Sequence, residues 1–299
     1  MLFLEHGLDL LKQAGKLSFI IDLSFFETAY KFTRKYLLET TKILSIEYNI
    51  KEFDVASGQI IIKLKKEKPK NNKTQIKNSK NGNLVEVEQQ NWYNPNDEFK
   101  FRFFSDEKAK NILTKIEECE NKTLKELYPK KNLRTCVMLL NMEDKFVFKE
   151  PDLNKSLKVY SYYQGAKGLS EKYGELNNGN YFYYDKRLQN KINDELKLEL
   201  EKQGIKNKKR LGLGETEIYD NPKIFIRQSA KELIATYTEK PGAANNSLYV
   251  FSLRNNNEKS KKVLKFICGL INSELFTFWA QKMNVIRYAK GKQPQIKTS

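Results

Sequence analysis

Basic, aromatic and amide side chains cluster in short segments of the second half of the sequence. The segment "YSYYQGAKGLSEKYG" (160–174) interleaves tyrosines, glycines and lysines. Glycine lets a backbone approach a phosphate closely, Lys167 supplies positive charge, and a tyrosine such as Tyr163 can stack on a base. The run "KNKKR" (206–210) is dense in positive charge and suits phosphate contacts. These segments favour nucleic-acid binding over a chemical reaction.

Two further segments carry side chains suited to the same partner. The consecutive amides of Asn245 and Asn246 can bond the edge of an adenine in the major groove. The segment "VIRYAKGKQPQIK" (285–297) is basic and holds one tyrosine. Taken singly, each segment fits a solvated loop or a core tyrosine; taken together, they indicate nucleic acid. We expect phosphate contacts from Lys167, Lys208, Lys209, Arg210, Arg254, Arg287, Lys290 and Lys292, and base contacts from Tyr163, Asn245 and Asn246.

The sequence holds no convincing catalytic or metal site. The stretch "LGLGE" (211–215) lacks the third glycine of a nucleotide-phosphate loop and follows a basic run instead of a strand, so a turn is favoured. Asp152, Glu195 and Lys197 match the letters of a metal-dependent nuclease motif, but a chain with 30% charged residues produces such matches by chance. His6 is the only histidine, which excludes a histidine-based triad. We therefore predict no catalytic residue and no metal.

The charge and the cysteine content narrow the class of protein. The formal net charge is +17, from 54 lysines and arginines against 37 acidic residues. Such a field attracts polyanions, although an AT-rich genome would also inflate the lysine content. The three cysteines are widely spaced, which argues against a disulfide framework and for the cytoplasm. No apolar run reaches the roughly 18–20 residues that a membrane span needs.

The elements expected around these segments divide the chain into two parts. Up to residue 104, the patterns predict a helix from Leu4 to about Gly15, a strand at 17–22 buried on both faces, a helix at 24–39, and strands at 42–48 and 59–66. This order fits the closing half of a doubly wound sheet. Residues 67–83 are polar and of low complexity, so we expect a mobile loop, and 84–104 follow a β-like pattern.

The second part mixes short strands with helices. Periodic apolar residues predict a helix at 105–118, and a strongly charged helix is expected at 185–203. The stripe of apolar residues in 261–283 predicts one long helix. The domain boundary is placed between residues 104 and 105.

Several of these blocks resemble one known family, in the family's order. "LDLLKQAGKLSFIIDLSF" (8–25), followed by "TRKYLLETTKILSIEY" and "VASGQIIIKLKK", resembles the stretch after the catalytic motif of gamma-class adenine-N6 DNA methyltransferases. "NPKIFIRQSAKELIATYTEKPGAANNSLYVFSL" (221–253) and "ICGLINSELFTFWAQKM" (267–283) resemble the TaqI-like specificity domain. "VYSYYQGAKGL", "NYFYYDKRL" and "QPQIKTS" fit the middle and end of that domain. The resemblance extends over nearly the whole chain.

The resemblance also implies what this sequence lacks. The family holds S-adenosylmethionine on a glycine-rich loop and the target amine in an "NPPY/F" loop, and neither pattern occurs here. Asn94–Pro95 and Asn221–Pro222 lack the second proline. Leu64 stands at or beside the position where the family can stack an aromatic ring on a flipped adenine, so it marks the remnant of an adenine pocket. We expect a chain truncated at both ends that binds no cofactor alone.

These observations lead to one main hypothesis and two alternatives. We expect an α/β plus α+β fold, with the C-terminal remnant of a Rossmann-like methyltransferase sheet (1–104) followed by a mixed α+β target-recognition domain (105–299). The resemblance implies sequence-specific recognition of double-stranded DNA within a type IIG restriction-modification enzyme, and whether the chain is itself an enzyme stays open. It could be one subunit of a split methyltransferase, active with an N-terminal partner chain, because the strands of a partial sheet seek a partner. It could instead be an inactive remnant.

Overall fold

The computed structural model describes residues 2–26, 30–50, 59–103, 107–119, 122–129, 132–151, 157–205, 210–283, 285–287 and 294–296. Contacts divide the chain into two compact units. Unit 1 takes in Met1–Cys119, and unit 2 takes in Glu120–Arg287 and Gln293–Lys297. This division lies one helix later than the boundary predicted after residue 104, because the helix Glu107–Glu118 groups with unit 1.

A five-stranded sheet forms the centre of unit 1. Its strands are β1 Lys16–Asp22, β2 Lys42–Tyr48, β3 Gln59–Lys65, β4 Lys73–Asn78 and β5 Leu84–Glu88. The spatial order is β1-β3-β2-β4-β5. Because β3 runs antiparallel to both β1 and β2, those two strands run parallel to each other. β4 is parallel to β2, and β5 is antiparallel to β4. The three strands predicted up to residue 66 are confirmed.

The core of unit 1 lies on one face of this sheet. Ile60, Ile62 and Leu64 of β3 are fully buried, whereas the residues of β1 alternate between exposed and half-buried. The prediction that β1 is buried on both faces was therefore wrong. β1 is an edge strand, and Lys16 and Ile20 lie on the face that the described helices leave open. A continuous apolar run does not distinguish a strand with two covered faces from one with a single covered face.

The segment 67–83 is not the loop that its composition indicated. It contains β4, whose alternate residues Thr74 and Ile76 are buried while Lys73, Gln75 and Lys77 face solvent. A strand with one solvated face needs only every second residue to be apolar or small, so a polar composition does not exclude it. The segment 99–103, in which aromatic and basic residues alternate, has irregular structure instead of forming a strand, although Phe99 and Phe101 are buried.

The first two helices of unit 1 are shorter than their periodicity predicted. Those described are α1 Leu2–Asp9, α2 Lys31–Thr40 and α3 Glu107–Glu118. α1 ends at Asp9, and Ala14 then takes a left-handed φ of 62° and donates its N–H to Lys66 O as the chain turns into β1. The predicted helix 24–39 is a 3-10 turn at Leu23–Phe26 followed by α2, with 27–29 outside the described residues. The predicted helix at 105–118 is confirmed.

A buried arginine ties α2 to the rest of unit 1. The guanidinium of Arg34 donates to Phe25 O at 2.5 Å, Glu98 O at 2.9 Å and Phe99 O at 3.1 Å. Burial lowers its pKa to about 10, against the opposing effect of the acidic side chains nearby. Arg34 therefore provides donors to three backbone carbonyls, and its contacts with Phe25 O and Phe99 O are buried.

Unit 2 contains two four-stranded sheets. The first has the order β11-β10-β13-β6 and consists of β6 Leu133–Thr135, β10 Lys223–Arg227, β11 Ala235–Thr238 and β13 Leu248–Ser252. The second has the order β12-β8-β9-β7 and consists of β7 Val147–Phe148, β8 Lys158–Tyr163, β9 Asn180–Tyr184 and β12 Gly242–Ala244. The short strands β14 Ile286–Arg287 and β15 Gln295–Ile296 pair separately. With its helices, unit 2 has the expected α+β character.

The described helices of unit 2 include one that the sequence joined wrongly. They are α4 Leu124–Leu127, α5 Gly165–Gly168, α6 Lys186–Lys202, α7 Thr216–Asp220, α8 Glu258–Asn272 and α9 Glu274–Lys282. The charged helix expected at 185–203 is α6, capped by Asp185. The single helix predicted at 261–283 is two, because the Ser273 hydroxyl accepts the N–H of Phe276 and caps α9.

Among the described residues, no single helix has both the length and the apolar character to cross a membrane. The helices α8 and α9 reach that length and composition only jointly, and they are bent by 60° at their junction.

Candidate nucleic-acid interface

Three segments of unit 2 leave their strands at one edge. β12 runs parallel to β8, with Ala244 opposite Tyr163. On the other side of β12, Val137 pairs in parallel with Asn245, and Val137 N donates to Ala244 O at 2.8 Å. Parallel strands end at the same side of a sheet, so the residues that follow them come together. We call this place the β8–β12 edge; it comprises residues 138–142, 164–168, 210–212 and 245–247.

A fourth segment reaches the edge in the opposite direction. Met138 and Gly212 exchange two backbone hydrogen bonds, of 2.7 and 2.9 Å, in an antiparallel bridge. This register brings Arg210, which is exposed, to the same edge. The backbone of Leu211 is held to α6, since its N–H bonds Asn193 Oδ1 at 2.7 Å and its carbonyl bonds Gln189 Nε2 at 2.9 Å. The side chain of Arg210 therefore projects from a fixed backbone.

The helical turn α5 packs directly against the turn at 245–247. Gly165 has a left-handed φ of 48°, and a Cβ placed on it would lie 3.3 Å from Ser247 Oγ. Asn245 N also donates to Tyr163 O at 3.1 Å. Lys167 is exposed on α5. The structure therefore brings together four of the side chains predicted from the sequence: Lys167, Arg210, Asn245 and Asn246.

The two neighbouring asparagines have different environments. Asn245 is half-buried, and its Oδ1 accepts hydrogen bonds from the N–H and the hydroxyl of Ser247. This pattern holds the turn in shape. Asn246 is exposed at the tip of the same turn. Asn246 is thus placed to meet a ligand, whereas the oxygen of Asn245 is already engaged.

A groove of about 530 Å³ lies between the segment 137–143 and the last two turns of α6. Apolar side chains on its walls include Met138, Leu140, Leu196 and Leu200. The polar side chains that line it are Asn141, Glu143, Glu199, Gln203, Asn245 and Asn246. Four of these six were missed from the sequence. For Glu199 and Gln203, the signal was the spacing of Leu196 and Leu200 on α6, which places those turns on a common surface.

The rim of this groove is a strained turn. Met142 N donates to Leu139 O at 3.0 Å, and the two central residues, Leu140 and Asn141, have φ values of 53° and 67°. Asparagine tolerates this conformation, but leucine in the left-handed region costs about 1–2 kcal/mol. Strain of this kind persists only where the surrounding structure enforces the conformation.

Arg254 lies in an ion-pair network instead of standing free. Its guanidinium bonds Glu215 and Glu217, at 2.9 Å for the latter, and its Nε donates to Asn132 Oδ1 at 3.2 Å. Glu215 also pairs with Arg134. Burial opposes ionisation of Glu215, but hydrogen bonds from both arginines outweigh it and lower the pKa of that carboxyl. Contact between Arg254 and a phosphate would require this network to open.

Two other residues predicted to contact DNA are buried. Tyr163 is 4% exposed, lies edge-on to Phe225 with ring centroids 5.5 Å apart, and covers the Cα of Gly242. Leu64 is fully buried in the core of unit 1. In this conformation neither side chain can reach a base. Lys208, Lys209, Lys290, Lys292 and the side chain of Arg287 lie outside the described residues.

The glycine pair of "LGLGE" forms a filled turn. Gly214 has a φ of 72°, and a Cβ there would lie 1.9 Å from Tyr219 Oη. The Tyr219 hydroxyl donates to Leu213 O at 3.0 Å, so a tyrosine occupies the space that a phosphate would need. Within the described ranges, no cluster of three or more acidic, histidine or cysteine side chains could hold a metal ion.

Comparison with known families matches both parts of the chain. Residues 160–299 match the TaqI-like C-terminal specificity domain, and residues 1–55 match the Eco57I restriction-modification methylase. The resemblance stated from the sequence is thereby confirmed. The search of curated proteins gives no match.

Solved structures of similar shape are much longer than this chain. The type IIL restriction-modification enzyme MmeI, solved in complex with DNA, has a TM-score of 0.51 and 11% identity, over 95% of this chain and 38% of that one. The type IIG restriction endonuclease BpuSI has a TM-score of 0.36 and 15% identity, over 94% and 39%. The likeness to the first confirms the predicted fold class, and this chain spans 38% of its length.

Proposed function

We propose that this chain, which carries a TaqI-like C-terminal specificity domain and a segment of the Eco57I restriction-modification methylase family, recognises a specific sequence in double-stranded DNA. The enzyme it serves would be an adenine-N6 DNA methyltransferase of a cytoplasmic restriction-modification system. The observation that carries the proposal is the β8–β12 edge, where Lys167, Arg210 and Asn246 converge from distant parts of the sequence. The similarly folded MmeI was solved in complex with DNA.

The edge combines the two kinds of contact that DNA recognition needs. Lys167 and Arg210 are exposed cations that can fix the position of the backbone. The groove at the same edge offers carboxamides and carboxylates that can bond the edges of bases. The net charge of +17 adds a long-range attraction that speeds the encounter with DNA.

Methyl transfer would need residues beyond those described. In the loop "LGLGE", Tyr219 fills the space beside Gly214. Leu64, at the position of the family's adenine pocket, is closed within a core. We therefore propose that a separate segment, with the donor-binding loop and the "NPPY/F" loop, supplies the chemistry. The methyl donor would bind there.

A salt titration of duplex binding tests the proposal. For each phosphate that the protein neutralises, the slope of log K against log salt should be about −0.9. Lys167→Ala and Arg210→Ala should each reduce the steepness of that slope by about 0.9, and the double variant by about 1.8. Lys259→Ala, an exposed lysine on α8, is the matched control and should leave the slope unchanged. Failure of the unaltered chain to bind duplex at low salt would overturn the proposal.

The edge of β1 favours a second candidate function, that of one subunit in a split methyltransferase. β1 is the terminal strand of its sheet, and Ile20 is 44% exposed on the open face. Phe3 on the neighbouring helix α1 and Leu10, which directly follows that helix, are more than 70% exposed. Unpaired strands and apolar side chains in this arrangement suit a further piece of sheet.

Reconstitution tests this second candidate. The chain is mixed with a polypeptide that carries the donor-binding and "NPPY/F" loops, and transfer of labelled methyl from S-adenosylmethionine to duplex DNA is measured. Ile20→Lys should abolish the transfer, while Asn190→Lys, at an exposed position on α6, is the control for added charge. If the mixture transfers no methyl, or if both variants behave alike, the subunit role is refuted.

A further inference from the structure

The groove beside the β8–β12 edge has a charge opposite to that of the chain. Glu143 and Glu199 are both exposed on its walls. On α6, the nearby ion pair joins Lys197 to Glu201 and leaves Glu199 to the groove, where its Oε1 accepts a long bond of 3.4 Å from Gln203 Nε2. An acidic groove flanked by exposed cations is unusual in a chain of net charge +17.

This charge pattern selects which part of a duplex can enter. Two carboxylates repel a phosphate, so the backbone is excluded from the groove and directed to Lys167 and Arg210. A carboxylate oxygen accepts hydrogen bonds only, and the base-edge groups that donate in the major groove are the amino groups of adenine and cytosine. The guanine and thymine edges present acceptor oxygens, which the carboxylates would meet unfavourably.

The carboxamides sharpen this selection. Asn246 is exposed at the end of the groove, and a carboxamide can donate to adenine N7 while it accepts from adenine N6. Asn245 cannot present the same pair, because its oxygen is taken by Ser247. Asn245 is therefore a positioning residue that holds the turn, and Asn246 is the residue that meets the base.

We propose, on the basis of the DNA recognition argued above, that this groove reads the amino-bearing edges of bases. Asn246 bonds adenine, and Glu199 with Glu143 accepts from the amino group of an adjacent base. The DNA backbone passes outside the groove along Lys167 and Arg210. Sequence preference and general affinity then reside in separate side chains.

Selection from a pool of randomised duplexes separates these contributions. The full chain is bound to the pool, the bound fraction is sequenced, and total affinity and salt slope are measured in parallel. Asn246→Ala and Asn246→Asp should each lower the preference for adenine at one position by about 10-fold. Glu199→Gln should weaken the preference for an amino-bearing base at another position. In Asn246→Ala, which keeps the charge, total affinity for the unselected pool and the salt slope should not change.

A matched variant outside the groove distinguishes base reading by the groove from DNA binding in general. Glu195→Gln makes the same charge change on an exposed part of α6 outside the groove, and should leave the selected sequence intact. If Glu199→Gln raises affinity for every sequence by more than Glu195→Gln does, phosphates approach the groove and the inference is wrong. If the groove variants select the same sequence as the unaltered chain, it is also wrong, although DNA binding stands. Absence of any duplex binding removes the proposed function itself.

Discussion

Asn272 offers a test of how unit 2 is held together. It is the last residue of α8, it is 4% exposed, and its carboxamide bonds the backbone of Ala235 in the edge strand β11. Oδ1 accepts from Ala235 N at 2.8 Å, and Nδ2 donates to Ala235 O at 2.8 Å. The side chain thus substitutes for a neighbouring strand, and it satisfies both polar groups of a residue that is fully buried.

The cost of removing it can be worked out from these bonds. In Asn272→Ala, Ala235 N loses its partner, and an unsatisfied buried N–H costs about 1–3 kcal/mol. Ala235 O keeps the hydrogen bond that Tyr173 N donates at 3.0 Å, so its loss is smaller. The cavity left by the side chain adds to the total. We expect the free energy of unfolding of unit 2 to fall by about 2–4 kcal/mol.

Asn272→Asp should make the stability of unit 2 depend on pH. A protonated aspartic acid can donate to Ala235 O and accept from Ala235 N, whereas the carboxylate has no proton for the carbonyl. Burial and this bond to the neutral form raise the folded-state pKa above the ordinary value of about 3.9. Stability is therefore fully present below that ordinary pKa and lost as the pH rises through the folded-state pKa. The variant should be closer to the unaltered chain at acidic pH than at neutral pH.

Urea unfolding and amide hydrogen exchange measure these effects. Exchange of the Ala235 amide should speed up in Asn272→Ala, with Asn190→Ala on the exposed side of α6 as the control. The reasoning is refuted if Asn272→Ala stays within about 0.5 kcal/mol of the unaltered chain, the range of ordinary surface substitutions. An Asn272→Asp variant with no pH dependence relative to the unaltered chain would show that the bond to Ala235 O is not formed.

Three other substitutions test separate parts of the fold. Arg34→Met removes the guanidinium donors from the buried carbonyls of Phe25 and Phe99 and should destabilise unit 1 by about 3–5 kcal/mol in urea unfolding. Burial lowers the pKa of Lys223 to about 8 from 10.5, so between these pH values the unfolded state binds more protons than the folded state. The free energy of unfolding should therefore rise with pH across that window by about 3 kcal/mol, and Lys223→Met should abolish the rise. Gly214→Ala would displace Tyr219 from its bond to Leu213 O, and thermal unfolding should show a loss of about 2 kcal/mol or more.

The sequence predicted most elements whose pattern is local. The strands β1, β2 and β3 and the helices α3 and α6 follow from runs and periodicities of apolar residues, and they are where the sequence placed them. The sequence did not predict the elements that depend on contacts with other parts of the chain. β4 is a strand because β2 and β5 bond it on both sides, a fact that its polar residues do not show. The break at Ser273 depends on one hydroxyl that caps α9, and the apolar stripe runs past it.

The side chains of the candidate site divide in the same way. The sequence determined the kinds of residue present: a strongly basic chain with amides, glycines and lysines in a few loops, and ordered blocks that match a specificity domain. Only the tertiary structure decided which of them meet. The parallel pairing of β8 with β12 brings the turn that carries Lys167 against the turn that carries Asn246. Burial removes Tyr163 from reach, and ion pairs with Glu215 and Glu217 engage Arg254. Pairing and burial are contacts between distant residues, so no local pattern encodes them.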